Sequence, residues 1–88
     1  MEQLPSQDDN LTATFYCKDP DSEGFDDCET FYTTDRDSWL VQGKRRGPAV
    51  AEQLVGLADD ETFVEISGRT AAAFARKYVK EHYGVDLG

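Results

Sequence analysis

Apolar and polar positions alternate in short runs through most of the chain and recur at helical steps only near its end. Leu11–Cys17 carries Thr12, Thr14, Phe15 and Tyr16, residue types that suit a pleated strand. Glu29–Thr34 and Ser38–Lys44 read as two further strands. Between them, Asp35-Arg36-Asp37 places turn-forming residues at both ends of a short hairpin connection. In the second strand Trp39 and Val41 share one face, Leu40 and Gln42 the other. Pro48 fits the first position of a helix, where its missing N–H costs little. Val50, Leu54 and Leu57 follow at helical spacing, and Gly56 offers a stop. In Thr62–Ile66, Val64 and Ile66 alternate with Glu65, the pattern of a half-buried strand.

The last element is the clearest. Ala71, Phe74, Ala75, Tyr78, Val79 and His82 form one stripe, which predicts a helix over Thr70–Tyr83 of about four turns. Arg76, Lys77 and Lys80 complement its macrodipole, Ser67 suits its start and Gly84 its end. The expected fold class is α+β: a small antiparallel sheet, a hairpin plus one or two further strands, with the C-terminal helix packed on one face. Phe74 and Tyr78 are expected to be buried against Val41, Val64 and Ile66.

The chain of 88 residues allows one domain at most. Residues 1–10 are polar and read as a flexible acidic tail, leaving 11–88 as a single small α+β domain. No apolar run approaches the ~20 residues a bilayer span requires. The start, Met1-Glu2-Gln3-Leu4-Pro5-Ser6, lacks the basic and apolar regions of a signal peptide, so a cytoplasmic location is expected. Cys17 and Cys28 are then expected as reduced thiols, with their pairing left open.

Charge changes this picture most. Residues 1–37 hold eleven acids and two bases, whereas residues 38–88 hold seven of each, so the net charge of −9 lies wholly in the first part. Such a face repels nucleic acid and attracts cations or a basic protein surface. Lys44-Arg45-Arg46 with Arg69 and Arg76 is the one basic grouping, and it reads as a solvated balance to nearby acids rather than a nucleic-acid contact. No direct nucleic-acid binding is expected.

The acidic stretch contains the strongest local motif. Asp19-Pro20-Asp21-Ser22-Glu23-Gly24 has acids at positions one, three and five and Gly at six, as an EF-hand calcium loop opens. Position twelve is Thr30 rather than the bidentate Glu, Glu29 stands one place early, and a strand rather than a helix leads in. Asp19, Asp21, Glu23, Asp27 and Glu29 are the candidate metal ligands on this alternative. The favoured reading makes Asp19, Asp21, Glu23, Asp26, Asp27, Glu29 and Trp39 a partner-binding set. No G-x-S-x-G, H-E-x-x-H or phosphate-binding loop is present. His82 on an apolar stripe reads as a hydrogen-bonded structural residue. The chain is therefore expected to be no enzyme and to need no cofactor. Its aromatics, Phe31, Tyr32, Trp39, Phe63, Phe74, Tyr78 and Tyr83, are many for so small a core and favour a protein-binding module.

Cys28-Glu29-Thr30-Phe31-Tyr32-Thr33-Thr34-Asp35-Arg36, Trp39-Leu40-Val41-Gln42-Gly43 and Glu61-Thr62-Phe63-Val64-Glu65-Ile66 also carry a resemblance. The stretch resembles small uncharacterised actinobacterial proteins with a C-P-x-x-Y-x-T-D-R…V-Q-G…E-x-x-V-E-I/V-P pattern. It departs where Glu29 replaces the usual Pro and Ser67 follows Ile66. Members of that group are often encoded beside helix-turn-helix regulators, so the resemblance implies an accessory or regulatory role. Physically, the shared residues read as a hairpin scaffold in which Asp35-Arg36 sets the turn and Val41 and Val64 fill the core. The expected function is a non-enzymatic interaction module, accessory to a transcriptional regulator, whose acidic N-terminal portion meets a basic partner. A monomer or weak dimer is expected, with a small calcium-binding domain as the alternative.

Overall fold

A computed structural model describes residues 10–24 and 27–88. The elements run β1 (Ala13–Lys18), β2 (Thr30–Thr34), β3 (Trp39–Gln42), β4 (Lys44–Arg45), α1 (Pro48–Ala51), β5 (Val64–Glu65) and α2 (Gly68–Tyr83). The fold is α+β. β1, β2 and β3 form an antiparallel sheet in that order, and β4 pairs with β5 in a separate two-stranded ribbon. The expected tail lies outside the described residues except for Asn10, which is exposed.

The hairpin between β2 and β3 closes as its sequence predicts. Thr34 N–H donates to the Ser38 carbonyl at 3.0 Å, and the Thr34 hydroxyl accepts from Arg36 N–H at 3.1 Å. Asp37 takes φ 58°, a left-handed conformation that Asp tolerates better than most residues. Asp35 Oδ1 accepts from Thr12 N–H at 3.1 Å and ties the turn to the start of β1.

β1 contains a bulge that places the core. Phe15 pairs with Tyr32 and Cys17 with Phe31, so two residues that should share a face end on opposite ones. Tyr16 is the extra residue, and it is buried. Its ring meets Trp39 edge-on at 4.7 Å and Phe74 at 5.7 Å. Phe74 stacks on Phe31 at 4.3 Å, meets Trp39 at 5.0 Å and continues to Tyr78 at 5.7 Å. α2 therefore lies across the sheet on aromatic rings, which gain from edge-to-face and offset contacts beyond their buried area.

This corrects the expected packing. Phe74 and Tyr78 are half-buried and face Tyr16, Phe31 and Trp39, while Val41 and Val64 are 40% and 41% exposed. Val64 sits on the separate ribbon, so it cannot fill the core under α2. Ala71, Ala75 and His82 of the stripe are exposed, because the aromatic contacts occupy a narrower band of the helix.

Residues 43–66 form an arm. The expected strand 38–44 is broken at Gly43, where β5 passes close enough that an added Cβ would lie 2.6 Å from the Glu65 carbonyl oxygen. The predicted helix from Pro48 is four residues long. Gly47 offers no side-chain cap, and Gln53 and Leu54 already turn back to carbonyls three residues earlier. So short a helix cannot offset its nucleation cost. Gly56 takes φ 73° and ends the segment. α2 is the opposite case: Ser67 accepts from Thr70 N–H, and Gly84 closes the helix at φ 69° with its N–H on the Lys80 carbonyl. Among the described residues no helix is long and apolar enough to cross a membrane.

Candidate functional site

The acids of the 19–29 loop divide into two kinds. Asp19 is buried and accepts both arms of the Arg69 guanidinium, Nε on Oδ1 at 2.7 Å and Nη2 on Oδ2 at 2.9 Å. Asp21 N–H adds a third bond to Oδ1 at 3.0 Å. The Arg69 fork and the Asp21 amide hold the Asp19 carboxyl below the usual carboxylate range despite its burial. Asp19 N–H donates to the Glu29 carbonyl at 2.8 Å, closing the loop at its base, and Lys18 Nζ reaches the carbonyls of Asp19 and Ser22.

Glu29 is also used internally. Its Oε1 accepts from Ser67 N–H at 2.8 Å and from the Thr70 hydroxyl at 2.7 Å. In a capping box the third helical residue is a Glu or Gln that takes the N–H of the cap residue. Here that third residue is Thr70, α2 has no acid in its first turn, and Glu29 supplies the carboxylate from the end of the loop. The Ser67 amide and then the Thr70 hydroxyl lower its pKa.

Asp21, Glu23 and Asp27 remain exposed; the Asp21 carboxylate touches Arg69 at 3.3 Å, and its side chain is 72% exposed. Asp26 lies outside the described residues. Among the described residues, no group of three or more His, Cys, Asp or Glu side chains is placed to hold a metal ion. Asp19 and Glu29, the first and last candidate ligands, engage their oxygens with Arg69 and with the start of α2. Cys28 is buried with Sγ 2.7 Å from Ser22 Oγ, and both cysteines are thiols. Burial pushes the Cys17 thiol up, with Lys77 opposing.

Two members of the basic grouping are tied to acids. Arg69 belongs to Asp19, and Arg46 pairs with Glu65 across the ribbon, Nε on Oε1 at 2.7 Å. Two surfaces beyond the loop stand out. A groove of about 730 Å3 in the arm is lined by Arg46, Val50, Leu54, Phe63, Val64, Glu65 and Ile66. Val50, Leu54 and Val64 are exposed there, and in the same segment Leu57 is exposed and Val55 fully so. The second surface is a smaller cavity of about 250 Å3 where Trp39 and Tyr16 meet the last turn of α2 at Glu81 and His82. Tyr16 OH donates to Glu81 Oε1 at 2.8 Å, and burial first, then Glu81, pushes the Tyr16 pKa up. His82 stacks on Tyr78 at 4.0 Å with Nδ1 3.0 Å from the Tyr78 carbonyl oxygen, the hydrogen-bonded role its position predicts, though the ring is exposed.

Trp39, expected in one partner-binding set with the acidic loop, lines a separate cavity. Tyr16, Glu81 and Arg69 carry site geometry that sequence reasoning missed. Asp19 and Arg69 are 50 residues apart, and Tyr16 and Glu81 are 65 apart, so no local pattern announces either pair. The Ser67-to-Thr70 spacing was a usable signal: a cap whose third residue is no acid leaves a place for a distant carboxylate. Compared with models of protein families, with curated proteins and with solved structures, the chain has no match.

Proposed function

We propose that this chain is a non-enzymatic protein-interaction module. The observation that carries the reading is the apolar surface of the arm, where Val50, Leu54 and Val64 line one groove and are exposed, and Val55 and Leu57 of the same segment are exposed too. Exposed apolar side chains gathered around a groove mark sites where another protein packs. The acids supply the sign of the partner. Asp21, Glu23, Asp27, Asp35 and Asp37 are exposed on one part of a chain with net charge −9, which favours a basic protein and speeds its approach. A helix-turn-helix regulator is the partner suggested by the resemblance of residues 28–66, and the module would act as its accessory.

The test is affinity capture with the tagged chain and with a Leu54→Asp, Val55→Asp variant, followed by association kinetics on the captured partner. The reading expects a basic partner retained by the parent chain and lost by the variant, with an on-rate that falls as salt rises. Identical capture by both chains overturns the arm as the docking surface, and a salt-indifferent on-rate removes the electrostatic part.

A further inference from the structure

We propose that the cavity between the start of β3 and the last turn of α2 receives the guanidinium of an arginine side chain presented by a basic protein. The inference rests on the interaction-module reading and adds a site and a ligand chemistry to it.

The cavity joins the three features a cation pocket needs. Its lining includes the aromatic residues Tyr16 and Trp39, with Trp39 36% exposed. Asp37 from the hairpin and Glu81 from α2 bring two carboxylates to it from elements distant in sequence. Among the described residues neither carboxylate is paired with a lysine or arginine. Among the described residues Glu81 accepts one side-chain hydrogen bond, from the neutral Tyr16 hydroxyl to Oε1, which orients the carboxylate without neutralising it. Ser38 adds a hydroxyl at the rim.

One of these two residues already holds a cation on its ring. Lys77 Nζ stands 4.2 Å over the Tyr16 ring and donates to the Tyr16 carbonyl at 2.6 Å, yet Lys77 does not line the cavity. A second cation on the cavity side would meet the indole, the better cation–π partner of the two. The volume of about 250 Å3 suits one side-chain head rather than a drug-sized molecule. Between the two cationic side chains, arginine fits better: its plane stacks on aromatic faces, its fork matches a carboxylate, and it is more weakly hydrated than an ammonium. Protein origin follows from the surroundings. Asp35 and Asp37 are exposed on the hairpin turn and extend the negative field beyond one side chain, so residues flanking the arginine in a basic segment also gain.

Trp39 is the single tryptophan of the chain, so its fluorescence reports on the cavity directly. The full chain is titrated with N-acetyl-arginine amide, with the matching lysine and citrulline amides, and with a peptide of alternating arginine and glycine. The expected result is a saturable change with the arginine amide, binding at least tenfold weaker with citrulline, weaker binding with lysine, and binding at least tenfold tighter with the peptide. Glu81→Gln and Asp37→Asn should each weaken the peptide at least fivefold. Both are near-isosteric: the amide oxygen introduced by Glu81→Gln can still accept from the Tyr16 hydroxyl, and an asparagine tolerates the left-handed backbone of the turn. Unchanged thermal melts show that these variants remain folded, and the citrulline and lysine amides test the parent chain without any variant. A linear, unsaturable response, or equal binding of citrulline, overturns the cavity as a cation site. Equal affinity for amide and peptide overturns the protein source in favour of a free guanidinium compound. Failure here with partner capture intact rejects only this cavity. Saturable peptide binding with no change in capture by the arm variant rejects the arm surface instead.

Discussion

The sheet with α2 and the arm of residues 43–66 are built from similar residues and come to opposite ends. Each has strands, a helix start and several large apolar side chains. In the first, β1 and β2 share a long ladder, and α2 supplies a second layer, so Tyr16 and Phe31 are buried and even Asp19 finds full compensation. In the second, two residue pairs of ribbon and a four-residue helix provide no second layer, and among the described residues of the arm none is buried. Apolar content makes a core only where two elements are long enough to face each other.

The largest effect that separates the two regions should come from truncating an aromatic under α2. Phe74→Ala removes the ring that touches Phe31, Tyr16, Trp39 and Tyr78 and should cost about 3 kcal/mol, read as a lower urea midpoint. A folded variant with unchanged midpoint would put α2 on the same footing as the arm. Next comes Arg69→Ala, which strands the buried Asp19 carboxylate. Asp19 and Glu29 both titrate lower in the folded chain than their ordinary values. Their stabilisation is fully present above the unfolded carboxylate range, about pH 4, and is lost as pH falls through the lowered native values. The Arg69→Ala chain should therefore unfold at higher pH on acidification than its parent, and by more than Arg46→Ala, whose ion pair is half exposed. At the other extreme Tyr16, raised in the fold, contributes below the ordinary phenol range near pH 10 and loses its contribution above it.

In the arm the same experiments should read small. Leu54→Ala is expected to change stability by no more than about 0.5 kcal/mol, and β4 and β5 amides should exchange with solvent faster than those of β2. Strong protection of the ribbon would mean that the arm is covered in solution, for instance by a second copy. The smallest expected effect is calcium. Titration to about 1 mM, the weak end of natural sites, should give small, unsaturated amide shifts spread over the exposed acids. Saturable shifts confined to residues 19–29 and abolished by Asp21→Asn would favour the cation-binding alternative.

The hairpin turn, the cap of α2 and its end were legible in the sequence because each has a local cause: turn residues at 35–37, Ser67 at the cap, Gly84 at the stop. The position of the core was not. It depends on the bulge at Tyr16, which no residue type in Thr14–Cys17 requires and which reverses the faces of everything before it. The arm departs from its sequence pattern for a related reason. Val50, Leu54 and Leu57 have helical spacing, but spacing describes a face and says nothing of whether another layer exists to meet it. Of the candidate site, the acids were visible as charge, whereas their division into internal and exposed depended on partners 38 to 50 residues away.

The Glu29 cap also has a bearing on the order in which the chain folds. Glu29 lies 38 residues from Ser67, so the first turn of α2 completes its hydrogen bonding only after the intervening chain has closed into a loop. Loop closure on that scale is an entropic step that local helix formation cannot replace. The far end of α2, closed by Gly84 on Lys80, needs no such event. Helix growth should therefore proceed from the C-terminal turns, with the capped start among the last contacts made and its residues carrying low φ-values. Weakening the cap through Glu29→Ala would then quicken unfolding while leaving the folding rate nearly untouched.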